Sequence, residues 1–180
     1  IEVMDMPSLQ VGSGFHAKYF DMNHSLKKLD DVDWSMDPTH EEVTTDIQYT
    51  NSRGSFWEDG ATDTFGVQIS GTVEVTEAGT LDFHLGGDDG AILYVNGEPV
   101  IIDDGEHGYR TRSGEIELEP GTHHIEVRYF ENYGHAGLRL EWEGPGIEGR
   151  ENVMATEFAD TQTVSGVPVA VDIALDTESM

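Results

Sequence analysis

The chain has 180 residues, 36 acidic against 9 basic, with a formal charge of -27 at pH 7, which excludes a partner gripped through its phosphate backbone. Yet 37% of residues are hydrophobic and they alternate with polar ones, so this is the composition of one folded acidic domain with a core. The absence of cysteine rules out disulfides and thiolate metal sites. No apolar run is long enough to cross a bilayer, and the chain opens at Ile1 without a signal peptide, as expected of a piece of a longer protein. Carboxylates this dense repel one another unless cations screen them, and oxygen-rich sites suit hard divalent ions, so a calcium-rich or saline setting is expected.

In chain order, residues 1–14 form a mixed lead-in that ends on Gly12, Ser13 and Gly14. Phe15, Ala17 and Tyr19 alternate with His16 and Lys18, the period-2 pattern of a first strand. Residues 26–34 carry a short helical or extended turn. A long polar connection over 37–60 holds Pro38, Gly54, Phe56 and Trp57, with a candidate strand at 44–49. Phe65, Val67 and Ile69 open the regular part, Val73 and Val75 continue it, and Glu77, Ala78 and Gly79 turn the chain. Leu81, Phe83 and Leu85 then alternate with Asp82 and His84, and Ala91, Leu93 and Val95 with Ile92 and Tyr94. These read as two strands facing each other around Gly86, Gly87, Asp88, Asp89 and Gly90. Three glycines around two aspartates free the backbone and leave carboxylates and carbonyls facing outward. The chemistry is expected there.

Asn96-Gly97 is a strong hairpin signal, after which residues 98–102 return as a strand. Residues 103–112 form a charged loop with His107 and Tyr109. Ile116 and Leu118 alternate with glutamates, Pro120-Gly121 turns, and Ile125, Val127 and Tyr129 alternate with Glu126 and Arg128. A second glycine-bearing turn spans 131–137, Leu138, Leu140 and Trp142 make the next strand, and residues 164–175, with Pro168, are a candidate terminal edge strand. Short strands at this spacing with no convincing helix predict an all-β sandwich or barrel of antiparallel strands with long surface loops.

Other chemistries find little support. His123 and His124 are adjacent on a predicted strand and point to opposite faces, and no HExxH helix exists, so a zinc enzyme is not expected. Glu115 and Glu117 share a strand face and could mimic glycosidase carboxylates, but a solvated face explains them. No nucleophile elbow, phosphate loop or nucleotide fingerprint is present, and the chain reads as a binding domain, not an enzyme. Asp21, Asn23 and Ser25 echo a calcium-loop spacing without its glycine and terminal glutamate. Asp59 with Asp63, or Asp103 with Asp104, are further candidates for a structural ion.

The succession FHAKYFD, VEVTEAGTLDFHLGGDDGAILYVNGEPVI, LEPGTHHIEVRYFEN and AGLRLEWEGPGI resembles the PA14 domain, a β-sandwich found in a bacterial toxin component, adhesins, yeast flocculins and glycosidases. The resemblance covers about 14–147, making 1–180 a single PA14-like domain with flanking segments at 1–13 and 148–180. In its lectin members two adjacent aspartates, joined by a cis peptide, bind calcium together with a second loop, and the ion holds two sugar hydroxyls. The resemblance assigns the pair to Asp88 and Asp89 and the second loop to 131–137. Calcium takes roughly 6 to 8 oxygens, so that loop is expected to contribute the Asn132 side chain and carbonyls of Gly134, His135 or Ala136. His107, Tyr109, Tyr133 and His135 are candidates to lie on the apolar face of a sugar. The bland readings stay beside these: Asp89-Gly90 closing a hairpin, the second loop a plain turn, the rings ordinary surface. The resemblance implies a Ca2+-dependent carbohydrate-binding module of a secreted or cell-surface bacterial adhesin. Its partners would be glycans of fucose, mannose or glucose type and neighbouring domains of the adhesin, with neither nucleic acid nor membrane insertion. A spacer domain that binds no sugar, or an accessory module of a glycosidase, are the alternatives.

Overall fold

The computed structural model describes residues 14–156. They form eleven strands: β1 (Phe15–Asp21), β2 (His40–Thr44), β3 (Gln48–Ser52), β4 (Phe65–Val75), β5 (Gly79–Asp88), β6 (Ala91–Val95), β7 (Glu98–Asp103), β8 (Arg110–Leu118), β9 (Gly121–Glu131), β10 (Ala136–Gly144) and β11 (Ile147–Asn152). One antiparallel sheet runs β2-β1-β4-β9-β6-β7 and the other β11-β10-β5-β8, with β3 sharing the outer edge of β10 with β11. The expected all-β sandwich is therefore the observed fold. Among the described residues no helix is long and apolar enough to cross a membrane.

The alternating residues do what their period predicts. Phe15, Ala17, Val67, Ile69, Phe83, Leu93, Val127, Leu138 and Leu140 meet between the sheets without solvent contact. The Asn96-Gly97 hairpin forms as expected: both residues have positive φ, 51° and 86°, and join β6 to β7 in two residues. A second, smaller cluster covers the outer face of the six-stranded sheet. Phe20, Ile92 and Phe130, at positions that simple alternation sends outward, pack under Leu26, Leu29 and Val32 of the β1–β2 connection. Its 3-10 turn at Leu29–Asp31 falls within the predicted turn.

Four local expectations change. Residues 44–49 are not one strand: β2 ends at Thr44 opposite Phe15, and β3 starts at Gln48 opposite Arg139 in the other sheet. β8 begins at Arg110, which shortens the charged loop to 104–109, and β11, whose sequence shows no clear alternation, is an added edge strand. Most consequentially, β5 and β6 are not hydrogen-bonded partners but belong to opposite sheets. The candidate edge strand at 164–175 lies outside the described residues.

The separation of β5 from β6 organises one end of the molecule. The β5–β6, β7–β8 and β9–β10 connections all cross between sheets. The pairings Gly137 with Asp88, Gly87 with Arg110, Ala91 with Asp103 and Ala91 with Tyr129 bring these crossings to one end. The long connection between β3 and β4 closes the same end from inside. Phe56 stacks on Tyr49 and Tyr129 with ring centroids 4.2 and 5.2 Å apart, and Trp57 stacks on Tyr19 at 4.7 Å.

Candidate metal centre

Asp88 ends β5, Asp89 and Gly90 make the crossing, and the Asp88-Asp89 peptide is cis. The crossing is tied along the end of β9: Asp89 N–H donates to the Phe130 carbonyl, Phe130 N–H to the Gly90 carbonyl, and the Tyr129 hydroxyl to the Asp88 carbonyl. Asp89-Gly90 thus closes no hairpin. Gly90 is required by close approach, because a Cβ there would stand 2.6 Å from the Phe130 ring and 2.8 Å from the Gly105 nitrogen. Gly90→Ala is accordingly expected to destabilise the domain by about 1–3 kcal/mol, read as a lower urea midpoint. An unchanged midpoint would contradict this packing.

Glu131 brings a third carboxylate. It follows Ile125, Val127 and Tyr129 at the inward-facing parity of β9, so its side chain enters the protein and not solvent. It is 0% exposed, and no N–H or hydroxyl group of the described residues donates to either of its carboxylate oxygens. One carboxylate oxygen each from Asp88, Asp89 and Glu131 lie within 4.8 Å of one another, and all three residues are buried. Asp89 is held in place by the loops beside it, accepting from His107 N–H at 3.1 Å on one oxygen and Asn132 N–H at 2.8 Å on the other.

The electrostatics record the crowding. Burial, then the charge of Asp89, pushes the Asp88 carboxyl up to about 6 against the partial relief of His107 and His135. Burial and the same aspartate push Glu131 up to about 9. Three buried carboxylates disfavour one another's ionisation, and a bound cation reverses that preference. The donor set is all oxygen, which suits Ca2+ and not a thiolate- or imidazole-seeking metal. The residues present fit calcium, and the two orphaned oxygens of Glu131 are the observation that says so.

The other predicted site residues divide. Asn132 does not aim its amide at the aspartates. Its Oδ1 accepts from Leu26 N–H at 2.9 Å and from the Ser25 hydroxyl, and its Nδ2 donates to Glu106, so it joins three loops together. Gly134 adopts a positive φ of 101° and donates its N–H to Asp63, while Ala136 is buried opposite Ser52. The His107 ring, little exposed, engages the Gly108 and Asp103 carbonyls, and the residue supports Asp89 through its backbone. Tyr109 lies over Gly86. Tyr133, 63% exposed, and the exposed His135 remain on the rim. Glu131 is the residue that sequence reasoning passed over, although its parity on β9 was the available signal.

The further ion candidates are engaged otherwise. Asp103 is bound by Arg110 through both carboxylate oxygens, Asp104 accepts from Leu29 and Gly105 N–H, and Asp63 accepts from Gly134 N–H. Of Asp21, Asn23 and Ser25, the Ser25 hydroxyl donates to Asn132 Oδ1 and the Asp21 N–H donates to the Thr39 hydroxyl.

Known proteins share this architecture. The domain superposes on the PA14 sugar-binding domain from an RTX adhesin with a TM-score of 0.69 and 23% identity, covering 81% of this chain and 98% of that one. The epithelial adhesin 9 A domain from Candida glabrata, solved with Galβ1-3GlcNAc, matches at 0.59 and 11% identity over 88% and 96%. A β-glucosidase from Kluyveromyces marxianus, solved with glucose, matches at 0.53 and 19% identity over 76% of this chain but 16% of the enzyme. No curated protein matches the chain in sequence. The sequence model of the PA14 domain matches residues 12–154, which spans every strand and all three crossings around the carboxylates, and the chain belongs to the PA14 domain family.

Proposed function

We propose that this domain binds carbohydrate through a calcium ion held by Asp88, Asp89 and Glu131, with carbonyl oxygens from 134–136 adding to the shell. The observation that carries the reading is Glu131, wholly buried with no partner for either oxygen and converging on two buried aspartates. An isolated charged group in such a place is strongly disfavoured, and a divalent cation is the counterpart that makes the arrangement stable. Calcium supplies a charged centre able to accept two neighbouring sugar hydroxyls. The protein's own part is to orient the carboxylates, through His107 and Asn132 N–H on Asp89, and to offer Tyr133 and His135 at the rim to the apolar face of a ring.

Support also comes from the sugar-binding name of the RTX adhesin domain and from the disaccharide bound to the Candida adhesin. The natural setting we infer is an extracellular or cell-surface adhesin of bacterial type, with neutral glycans of fucose, mannose or glucose type as partners and binding, not catalysis, as the activity. A glycan array read with calcium and with chelator tests the proposal. Binding that appears only with calcium is the expected result; a chelator-insensitive pattern, or no glycan bound in calcium, would sink it.

A further inference from the structure

A second group of ligands lies far from the crossings in register, on the outer face of the five-stranded sheet. Asp82 and His84 project from the same face of β5 at i and i+2, and Glu143 stands directly opposite Asp82 on β10. His84 Nε2 is 2.7 Å from Glu143 Oε2 and 3.7 Å from Asp82 Oδ2, and the three ligand atoms fall within 4.8 Å of one another. The imidazole is only 7% exposed although it sits on an outer face. Its other nitrogen, Nδ1, is 2.6 Å from the Ser113 hydroxyl, which fixes the ring with Nε2 turned to the carboxylates.

Charge sharpens the picture. On this face Glu115 is also opposite Asp82, while Glu141 is opposite His84 and is taken by Arg150 at 3.0 Å. Among the described residues neither Asp82 nor Glu143 has a lysine or arginine partner; His84 is their shared counterpart. We infer that Asp82, His84 and Glu143 form a second metal site, for a borderline divalent transition ion of the Zn2+ class. One imidazole nitrogen and two carboxylate oxygens are a donor set that zinc accepts at about 2.0–2.2 Å and that calcium, which seeks a full oxygen shell, does not favour. Ligand atoms on a tetrahedral zinc are about 3.4 Å apart at those bond lengths. Asp82 is already near that spacing, and the Glu143 side chain, partly exposed, has room to withdraw from its hydrogen bond.

When the metal takes Nε2, the single proton of the neutral ring sits on Nδ1 instead. Nδ1 then donates it to the Ser113 oxygen, a role a hydroxyl fills as readily as that of donor, so the ring's support is kept in both states. The open coordination positions face solvent and take water.

The test is calorimetric titration of Zn2+ into the 180-residue chain with calcium saturating, repeated with Co2+ to follow its visible absorption. His84→Gln and Glu143→Gln are each expected to weaken the tightest zinc equivalent at least about tenfold, while Glu131→Gln leaves it unchanged. Because Glu143 is partly exposed and away from the core, its variant remains informative should His84→Gln fold poorly. No zinc binding by wild type, equal zinc affinity in wild type and Glu143→Gln, or a tightest site lost only in Glu131→Gln would each overturn the assignment.

Discussion

Glu131→Gln is expected to raise the melting temperature of the calcium-free domain and to abolish the rise that calcium gives the wild type. Without the ion, the Glu131 carboxyl is wholly buried, receives no hydrogen bond on either oxygen and must take up a proton to stand beside two other buried carboxylates. A neutral amide of the same shape needs no proton and can donate its N–H groups to the neighbouring aspartates, relieving a penalty that for a buried unsatisfied polar group is about 1–3 kcal/mol. Calcium at a hundredfold excess over its Kd should stabilise the wild type by about 2.7 kcal/mol, on the order of 10 °C for a domain of this size. The substitution therefore moves the two curves in opposite directions, which loss of a merely structural contact cannot do. The effect also has a definite pH sense. The Glu131 carboxyl, ordinarily near 4.5, is pushed up to about 9 in the fold. Its contribution to the calcium-free domain is thus most favourable below about 4.5 and is lost as pH climbs toward about 9. The advantage of the amide variant should widen over that window and vanish at its acid end. A variant that melts lower in chelator, or one that still responds to calcium, would refute the role given to Glu131.

Sugar selectivity should follow from the metal. Two open positions on one ion are close together, so the ligands of choice present neighbouring hydroxyls that reach it at once, a condition that fucose, mannose and glucose meet. Since one ion makes the main contact, a monosaccharide should bind in the rough millimolar range, about -4 kcal/mol, and firm adhesion would need many copies together. Asp89→Asn should eliminate both calcium and sugar binding. It lies on a crossing and not in the core, so the sandwich stays folded. The measurement is a titration of a vicinal-diol sugar against its deoxy analogue with wild type and variant. Equal binding of the two sugars, or binding that outlasts chelation, would show that the metal does not bridge protein and ligand.

Alternation alone determined that β1, β4, β5, β6, β9 and β10 are strands with one face in a common core, because burial of Phe83, Val127 or Leu138 depends only on which side of the pleat they occupy. The same local chemistry marked the Asn96-Gly97 hairpin and the glycine-flanked aspartates. Period-2 patterning carries no record of which strand a strand pairs with. Thus the placement of β5 and β6 in opposite sheets, and with it the meeting of three crossings, was decided by tertiary structure. The fates of Asn132 and Glu131 turn on the same point. Next to each other in sequence, they leave the end of β9 in opposite directions, so the amide that the resemblance placed in the calcium shell reaches Leu26 and Glu106 while the glutamate reaches the aspartates. Likewise, His84 reads from the chain as a polar residue on an outer face, and only the register of β5 against β10 and β8 sets Glu143 and Ser113 on either side of its ring.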